Sequence, residues 1–132
     1  MHHVYHLATA YGRSGEYDSA FDLLTKGIRA IETTGEHMFE AELYRLRGEL
    51  LLKTDRANEG EGSLMTALAV ARRQQARAWE LRAAIALAHH WSEYGKTPAA
   101  RDLLSPIHGW FTEGFDTRDL KEAKALLAAL DA

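Results

Sequence analysis

Small residues recur at a constant interval of forty along this chain of 132 residues. They form two series, which are Ala8, Gly48 and Ala88, and Ala20, Gly60 and Ala100. A small residue allows two helices to approach closely, and a constant interval of this size is typical of stacked helical units. Because chance rarely preserves a register through three matches, the sequence predicts three similar units.

Apolar residues around these positions follow the spacing of an α-helix. The two clearest stripes are Tyr17, Ala20, Phe21, Leu24, Ile28 and Ile31, and Leu120, Ala123, Leu126, Leu127 and Leu130. The strict alternation of apolar and polar residues that is typical of β-strands is missing from the sequence. We therefore predict an all-α fold of about seven helices.

Short turns separate the predicted helices. Gly35 should end one helix in the left-handed conformation, and Pro98 should begin another. The side chains expected to cap helix N-termini are Thr54, Asp55, Asn58, Thr97, and either Asp116 or Thr117. Short loops make consecutive helices antiparallel neighbours. The prediction is a single domain with hairpins at about 2–33, 36–75 and 77–108 and a terminal capping helix at about 117–131.

The residues around the small positions form a motif. The first and third units share it at corresponding positions, with Val4, Leu7, Ala8 and Tyr11 in one and Ala84, Leu87, Ala88 and Trp91 in the other. This motif resembles the tetratricopeptide repeat, although the interval exceeds the roughly 34 residues of the standard repeat and Arg47 stands where Leu is expected. The resemblance implies that the hairpins stack into a right-handed superhelix.

Three longer segments carry a closer resemblance. They are residues 40–52, 79–84 and 109–117. They are similar to the C-terminal repeat region of large bacterial signalling proteins, in which a class III nucleotide cyclase domain or a DNA-binding regulator domain precedes an ATPase module. This implies a tail piece of such a protein or a stand-alone relative. It implies no cyclase or ATPase chemistry, because the motifs of those modules are missing from the sequence.

Charge and composition argue against several classes of function. The net charge is −3, and acidic and basic residues are interleaved, so we expect no nucleic-acid binding. A membrane-spanning helix needs about 20 apolar residues, and the longest apolar stretches here are a few residues long. The start of the chain does not resemble a secretion signal. Cysteine is absent, which excludes disulfides, and we predict a cytoplasmic protein.

Motifs for catalysis and for metal binding are also missing. The sequence has no Walker-type phosphate loop, dinucleotide-binding glycine motif or nucleophile elbow. His2 and His6 are four residues apart and His89 adjoins His90, but no His-Glu-x-x-His motif accompanies them. We therefore expect no catalytic residue, cofactor or metal ion. A small ligand or a metal-dependent activity in the groove is left as a minor alternative.

The repeat register places one face of the first helix of each pair on the concave side of the solenoid. The candidates for partner contact on this face are His6, Arg13, Arg45, Glu49, Arg82 and His89. The same face should include His2, Tyr5, Thr9, Glu42, Leu46, Lys53, Ile85 and Glu93. A polar groove of mixed charge suits an extended peptide or a partner helix.

The predicted function is therefore a non-catalytic protein-interaction scaffold. Its partner would be another protein, a peptide, or another domain of a larger chain. A homodimerisation module that pairs through exposed repeat ends is the main alternative. Trp110, Phe111 and Phe115 are expected to plug the open end of the core, with a partner-binding hot spot as the second interpretation.

Overall fold

A computed structural model describes residues 2–111 and 117–131. This part of the chain contains seven helices and no strand, which confirms the predicted all-α class. The helices are α1 (His2–Arg13), α2 (Tyr17–Thr34), α3 (Glu40–Leu52), α4 (Ala57–Arg73), α5 (Arg77–Glu93), α6 (Thr97–Gly109) and α7 (Arg118–Leu130). None of the helices in the described residues is long and apolar enough to cross a membrane.

The helix ends confirm some of the predicted signals. Gly35 has a φ of 73° and its N–H donates to the carbonyl oxygen of Ile31 at 2.8 Å, which ends α2 in the predicted left-handed conformation. Thr117 caps α7, since its hydroxyl oxygen accepts a hydrogen bond from the N–H of Leu120 at 3.4 Å. Asp116 lies outside the described residues.

Three other predicted caps are wrong. The hydroxyl of Thr54 donates to the carbonyl oxygen of Leu51 at 2.7 Å and accepts from the N–H of Arg56, just before α4, at 3.2 Å. It therefore bonds no N–H inside α4. Asn58 lies inside α4, which begins at Ala57. Thr97 is the first residue of α6, so the cap position belongs to Lys96, whose side chain makes no capping hydrogen bond. Pro98 does lie at the start of the helix, as expected.

Each helix contacts the next one along the chain, and the odd-numbered helices also contact one another in the order α1–α3, α3–α5 and α5–α7. One core cluster joins α4 to α7 and a second joins α1 to α3. The two small-residue series lie at helix contacts. A Cβ atom on Gly48 would be 2.9 Å from the carbonyl oxygen of Gly60, so α3 and α4 can approach this closely only with glycine at both positions.

Candidate functional site

Three contacts join residues that are forty positions apart on neighbouring odd-numbered helices. The guanidinium of Arg45 donates to the hydroxyl of Tyr5 at 2.8 Å, and that of Arg82 donates to the carboxylate of Glu42 at 2.7 Å. The rings of Phe39, just before α3, and of Trp79 are 5.8 Å apart. The Phe39–Trp79 and Glu42–Arg82 contacts both join residues forty positions apart. A constant difference in residue number means that the two segments run in the same direction, so α3 and α5 lie side by side and parallel.

The two polar contacts belong to a continuous polar ladder, which comprises Tyr5, Arg45, Glu42, Arg82 and Asp119. The carboxylate of Glu42 accepts hydrogen bonds from Arg45 at 2.7 Å and from Arg82 at 2.7 Å. Arg82 also donates to Asp119 at 2.8 Å, which extends the ladder to α7. The ladder therefore connects all four odd-numbered helices along one face of the molecule.

The charges of the ladder compensate one another. Burial by itself would lower the pKa of Arg45, but the carboxylates of Glu49 and Glu42 outweigh this effect and raise the pKa. The hydrogen bond to Asp119 is the main reason why the pKa of Arg82 is raised, with a second contribution from Glu42. Both arginines are therefore permanently charged, and the buried Glu42 carboxylate has two cationic partners.

The ladder gives two of the predicted groove residues an intramolecular role. Arg45 and Arg82 were expected to face a partner, but their guanidinium groups are bound to carboxylates of the chain itself. The Arg45 side chain is only 11% exposed. The interval of forty between Glu42 and Arg82 is a sequence signal that could have revealed this pairing. Arg45 is therefore largely shielded from a partner, whereas the Arg82 side chain is still 42% exposed.

A cavity of about 280 Å³ lies between the C-terminal halves of α3 and α5. Its lining residues are Glu49, Leu52, Lys53, Ala86, His89, His90, Glu93 and Tyr94. The structure thus brings together Glu49 and His89, two of the six groove candidates, with Lys53 and Glu93. Sequence reasoning missed Leu52, Ala86 and Tyr94 as lining residues. Tyr94 is exposed, and its position at the end of α5 one residue after Glu93 could have indicated it.

The two adjacent histidines of this cavity point to different helices. Nε2 of His89 is 3.4 Å from the carboxylate of Glu122 on α7, and Nε2 of His90 is 3.5 Å from that of Glu61 on α4. No group of three or more His, Cys, Asp or Glu residues in the described parts of the chain could hold a metal ion. The cavity therefore presents hydrogen-bonding and charged groups to a ligand, and Leu52 and Ala86 add apolar surface to its wall.

Glu49 is the electrostatically unusual residue of the cavity. Burial is the main reason why the pKa of its carboxyl is raised. The carboxylates of Glu42 and Glu122 raise this pKa further, whereas Arg45 and Lys53 lower it. Arg45 also donates a hydrogen bond to Glu49.

Other predicted groove residues lie elsewhere. Leu46 and Ile85 were expected on the groove face, but both are buried in the core because each turns toward a neighbouring helix. His6 and Arg13 are exposed on α1 and do not line the cavity. The side chain of His2 lies outside the described residues.

The aromatic segment after α6 differs from its predicted role as a plug. Trp110 is 54% exposed, and the guanidinium carbon of Arg77 lies 4.9 Å from the centre of its ring. Phe111 packs edge-on against Trp110 and is partly buried against the core of α4–α7. Phe115 lies outside the described residues. The plug interpretation is thus wrong for Trp110, since its ring lies on the surface.

Comparisons of the chain with protein-family models, with curated proteins and with solved structures each found no significant match.

Proposed function

We propose that this chain is a non-catalytic protein-interaction scaffold of the tetratricopeptide-repeat type, and that the face formed by α1, α3, α5 and α7 binds a segment of a partner protein. The polar ladder carries this proposal. It joins residues forty positions apart, at the same interval as the small residues, and so supports a stack of similar hairpins with one continuous face. Faces of this kind are the usual binding surfaces of helical solenoids.

The cavity between α3 and α5 is the proposed contact region. Lys53 and Glu93 are exposed charges of opposite sign at its edge, and Leu52 and Ala86 supply apolar wall. Such a mixture suits an extended peptide or the side chains of a partner helix, for which apolar contacts supply affinity and a few polar groups supply orientation. The arginines of the ladder hold the neighbouring helices in place beneath this region.

The proposed setting is the cytoplasm of a bacterium, with the chain as a tail module or stand-alone relative of a signalling protein. This part of the proposal depends on the sequence resemblance of residues 40–52, 79–84 and 109–117. The partner would then be another protein of the pathway or another domain of a longer chain. No nucleic acid is proposed as a partner, since the net charge is −3 and basic residues are not grouped on one face.

The test is selection of binding peptides from a random phage-displayed library on the immobilised protein, followed by affinity measurement with groove variants. The groove variant is Lys53→Glu with Glu93→Lys, two exposed positions whose exchange preserves net charge. The matched control is Arg29→Glu with Asp102→Lys, which exchanges exposed charges on α2 and α6. We expect the groove variant to weaken the selected peptides at least about tenfold and the control to leave them unchanged.

Equal binding by both double variants would refute the proposed contact region. Failure to select any peptide above background, with the immobilised protein shown to be folded by circular dichroism, would count against the scaffold function itself. A peptide that binds the control variant less well than the groove variant would move the contact region to the even-numbered helices.

A further inference from the structure

The charged and histidine side chains that line the cavity between α3 and α5 fall into two groups. Lys53 and Glu93 are exposed, and neither forms an ion pair within the part of the chain that the structure describes. The side chains of the second group are already engaged by other residues of the chain. Their contacts are those of Glu49 with Arg45, of His89 with Glu122 and of His90 with Glu61. The charges left for a partner are therefore one ammonium group and one carboxylate.

Lys53 and Glu93 occupy equivalent positions on opposite sides of the cavity. They are forty residues apart, which is the interval that also joins Glu42 to Arg82 across α3 and α5. Lys53 directly follows α3, and Glu93 is the last residue of α5, so both lie at the C-terminal ends of two parallel helices. A segment that crosses from α3 to α5 at this level meets a positive charge on one side and a negative charge on the other.

The cavity wall also has an apolar part, to which Leu52 and Ala86 contribute. The volume of the cavity is about 280 Å³. Pockets for whole small-molecule ligands have volumes of roughly 300–1,000 Å³. The cavity is thus of a size to accept one large apolar side chain of a partner protein.

The geometry of an extended chain fits these three features. Such a chain advances about 3.3 Å per residue and presents alternate side chains on the same face. Residues four positions apart are therefore about 13 Å apart on one face, with one further side chain midway between them. The axes of packed helices are about 8–10 Å apart, and the long side chains of Lys53 and Glu93 can reach across the remaining distance.

Given the proposed scaffold function, on which this step depends, we propose that the cavity binds an extended segment with a specific charge pattern. The segment has an apolar residue, an acidic residue two positions away on one side and a basic residue two positions away on the other. The apolar side chain enters the cavity, the acidic one pairs with Lys53 and the basic one pairs with Glu93. Either direction of the segment satisfies this pattern, because the two charges flank the apolar residue in both.

Selection from one random phage-displayed peptide library on four forms of the protein tests this pattern. The forms are wild type, Lys53→Glu, Glu93→Lys and the control Arg29→Glu, whose exposed side chain lies on α2. We expect peptides selected on wild type and on the control to carry one acid and one base around the apolar residue. Lys53→Glu leaves two carboxylates and should select two bases, whereas Glu93→Lys leaves two ammonium groups and should select two acids.

Affinities measured by calorimetry complete the test. The consensus peptide of the wild type should bind Lys53→Glu at least about fivefold more weakly, because an attraction becomes a repulsion. Replacing the acidic residue of that peptide with lysine should restore the affinity for Lys53→Glu. Replacing the apolar residue of the peptide with alanine should weaken its binding to wild type at least about fivefold.

Circular dichroism verifies that each variant is folded, and Glu93→Lys carries the test if Lys53→Glu unfolds. Selected peptides with the same flanking charges on all four forms would overturn the charge pattern and leave the scaffold function standing. A wild-type consensus without a central apolar residue would also overturn the pattern alone. Failure of the folded wild type to select any peptide would overturn the scaffold function, and the charge pattern with it.

Discussion

Nη1 of Arg82 on α5 donates a hydrogen bond of 2.7 Å to the carboxylate of Glu42 on α3, forty residues earlier in the chain. The Glu42 side chain is 4% exposed, and Arg45 of its own helix donates to the second oxygen. A buried carboxylate is stable only when its charge is compensated. The pairing of Glu42 with Arg82 therefore couples the position of α3 to that of α5.

The first prediction concerns Arg45. Charge reversal in Arg45→Glu should lower the free energy of unfolding by about 3–5 kcal/mol, because it removes a cation from the buried Glu42 and adds a third carboxylate beside Glu42 and Glu49. Urea denaturation measures the effect. Arg13→Glu, on the exposed side of α1, is the control and should change the free energy by less than about 0.5 kcal/mol.

The second prediction concerns the pH dependence of stability. Burial raises the pKa of Glu49 above its ordinary value of 4.5. A carboxyl with a higher pKa in the folded than in the unfolded state binds its proton more tightly when folded, so its contribution to stability falls as pH rises from about 4.5 through the folded pKa. Glu49→Gln removes this contribution. The variant should therefore gain stability relative to wild type as pH rises from about 4 to about 7.

Urea denaturation of wild type and Glu49→Gln at a series of pH values measures this difference. Glu93→Gln, an exposed carboxylate of the same cavity, is the matched control. If the stability of Glu49→Gln relative to wild type instead declined as pH rises, the ion pair of Glu49 with Arg45 would outweigh the effect of burial on the wild-type carboxyl.

The third prediction concerns the contact of α3 with α4. Gly48→Ala should lower the free energy of unfolding by about 1–3 kcal/mol, because the new Cβ would lie 2.7 Å from Cγ of Leu64 and 2.9 Å from the carbonyl oxygen of Gly60. Gly62→Ala is the control, since a Cβ there meets nothing within 4 Å. It should stabilise α4 by about 0.5–1 kcal/mol. Thermal denaturation of both variants would reveal the opposite signs, and equal melting temperatures would contradict the close crossing.

The fourth prediction concerns α7. Leu120 is buried in the core cluster that joins α4 to α7, and Leu120→Ala should cost about 2–5 kcal/mol of stability. Lys124→Ala, on the exposed side of the same helix, should be neutral within about 0.5 kcal/mol. Chemical denaturation measures both. If Leu120→Ala were as stable as Lys124→Ala, α7 would not be part of the cooperative core.

The fifth prediction separates the two interpretations of Trp110. Its ring is exposed and stacks on Arg77, so Trp110→Ala should cost at most about 1 kcal/mol, which is the value of an exposed cation–π contact. Leu104→Ala on α6, where the side chain is fully buried, should cost about 2–5 kcal/mol. A loss of stability at Trp110 as large as that at Leu104 would restore the plug interpretation.

Much of the helical framework could be predicted, because the signals for it are local. Apolar spacing indicated the helices that contain Leu24 and Leu126, and both residues are buried as expected. Gly35 could be placed at a helix end from its conformational freedom. The glycines at 48 and 60 also pointed to a close crossing of two helices, which the structure shows between α3 and α4.

Hydrogen-bonding choices were harder to predict, because several partners compete for the same side chain. Thr54 could cap the following helix or satisfy the preceding one, and its nearest acceptor proved to be the carbonyl oxygen of Leu51. Arg45 and Arg82 looked like exposed groove residues, since their helix positions resemble those of other solvated charges. The pairing of Arg82 with Glu42 depends on how far α3 and α5 are displaced along each other. Helix periodicity does not contain this displacement, and only the interval of forty residues indicates it.

The sequence alone thus determined where helices form, where they end at Gly35, and where two backbones can meet at Gly48 and Gly60. These properties follow from side-chain size, spacing and backbone freedom, which act within one segment or at one contact. The tertiary structure decided which charges are buried in the polar ladder and which line the cavity with Glu49 and His89. It also left Leu7 exposed while it buried Leu87, because exposure depends on which neighbouring helices pack against a residue.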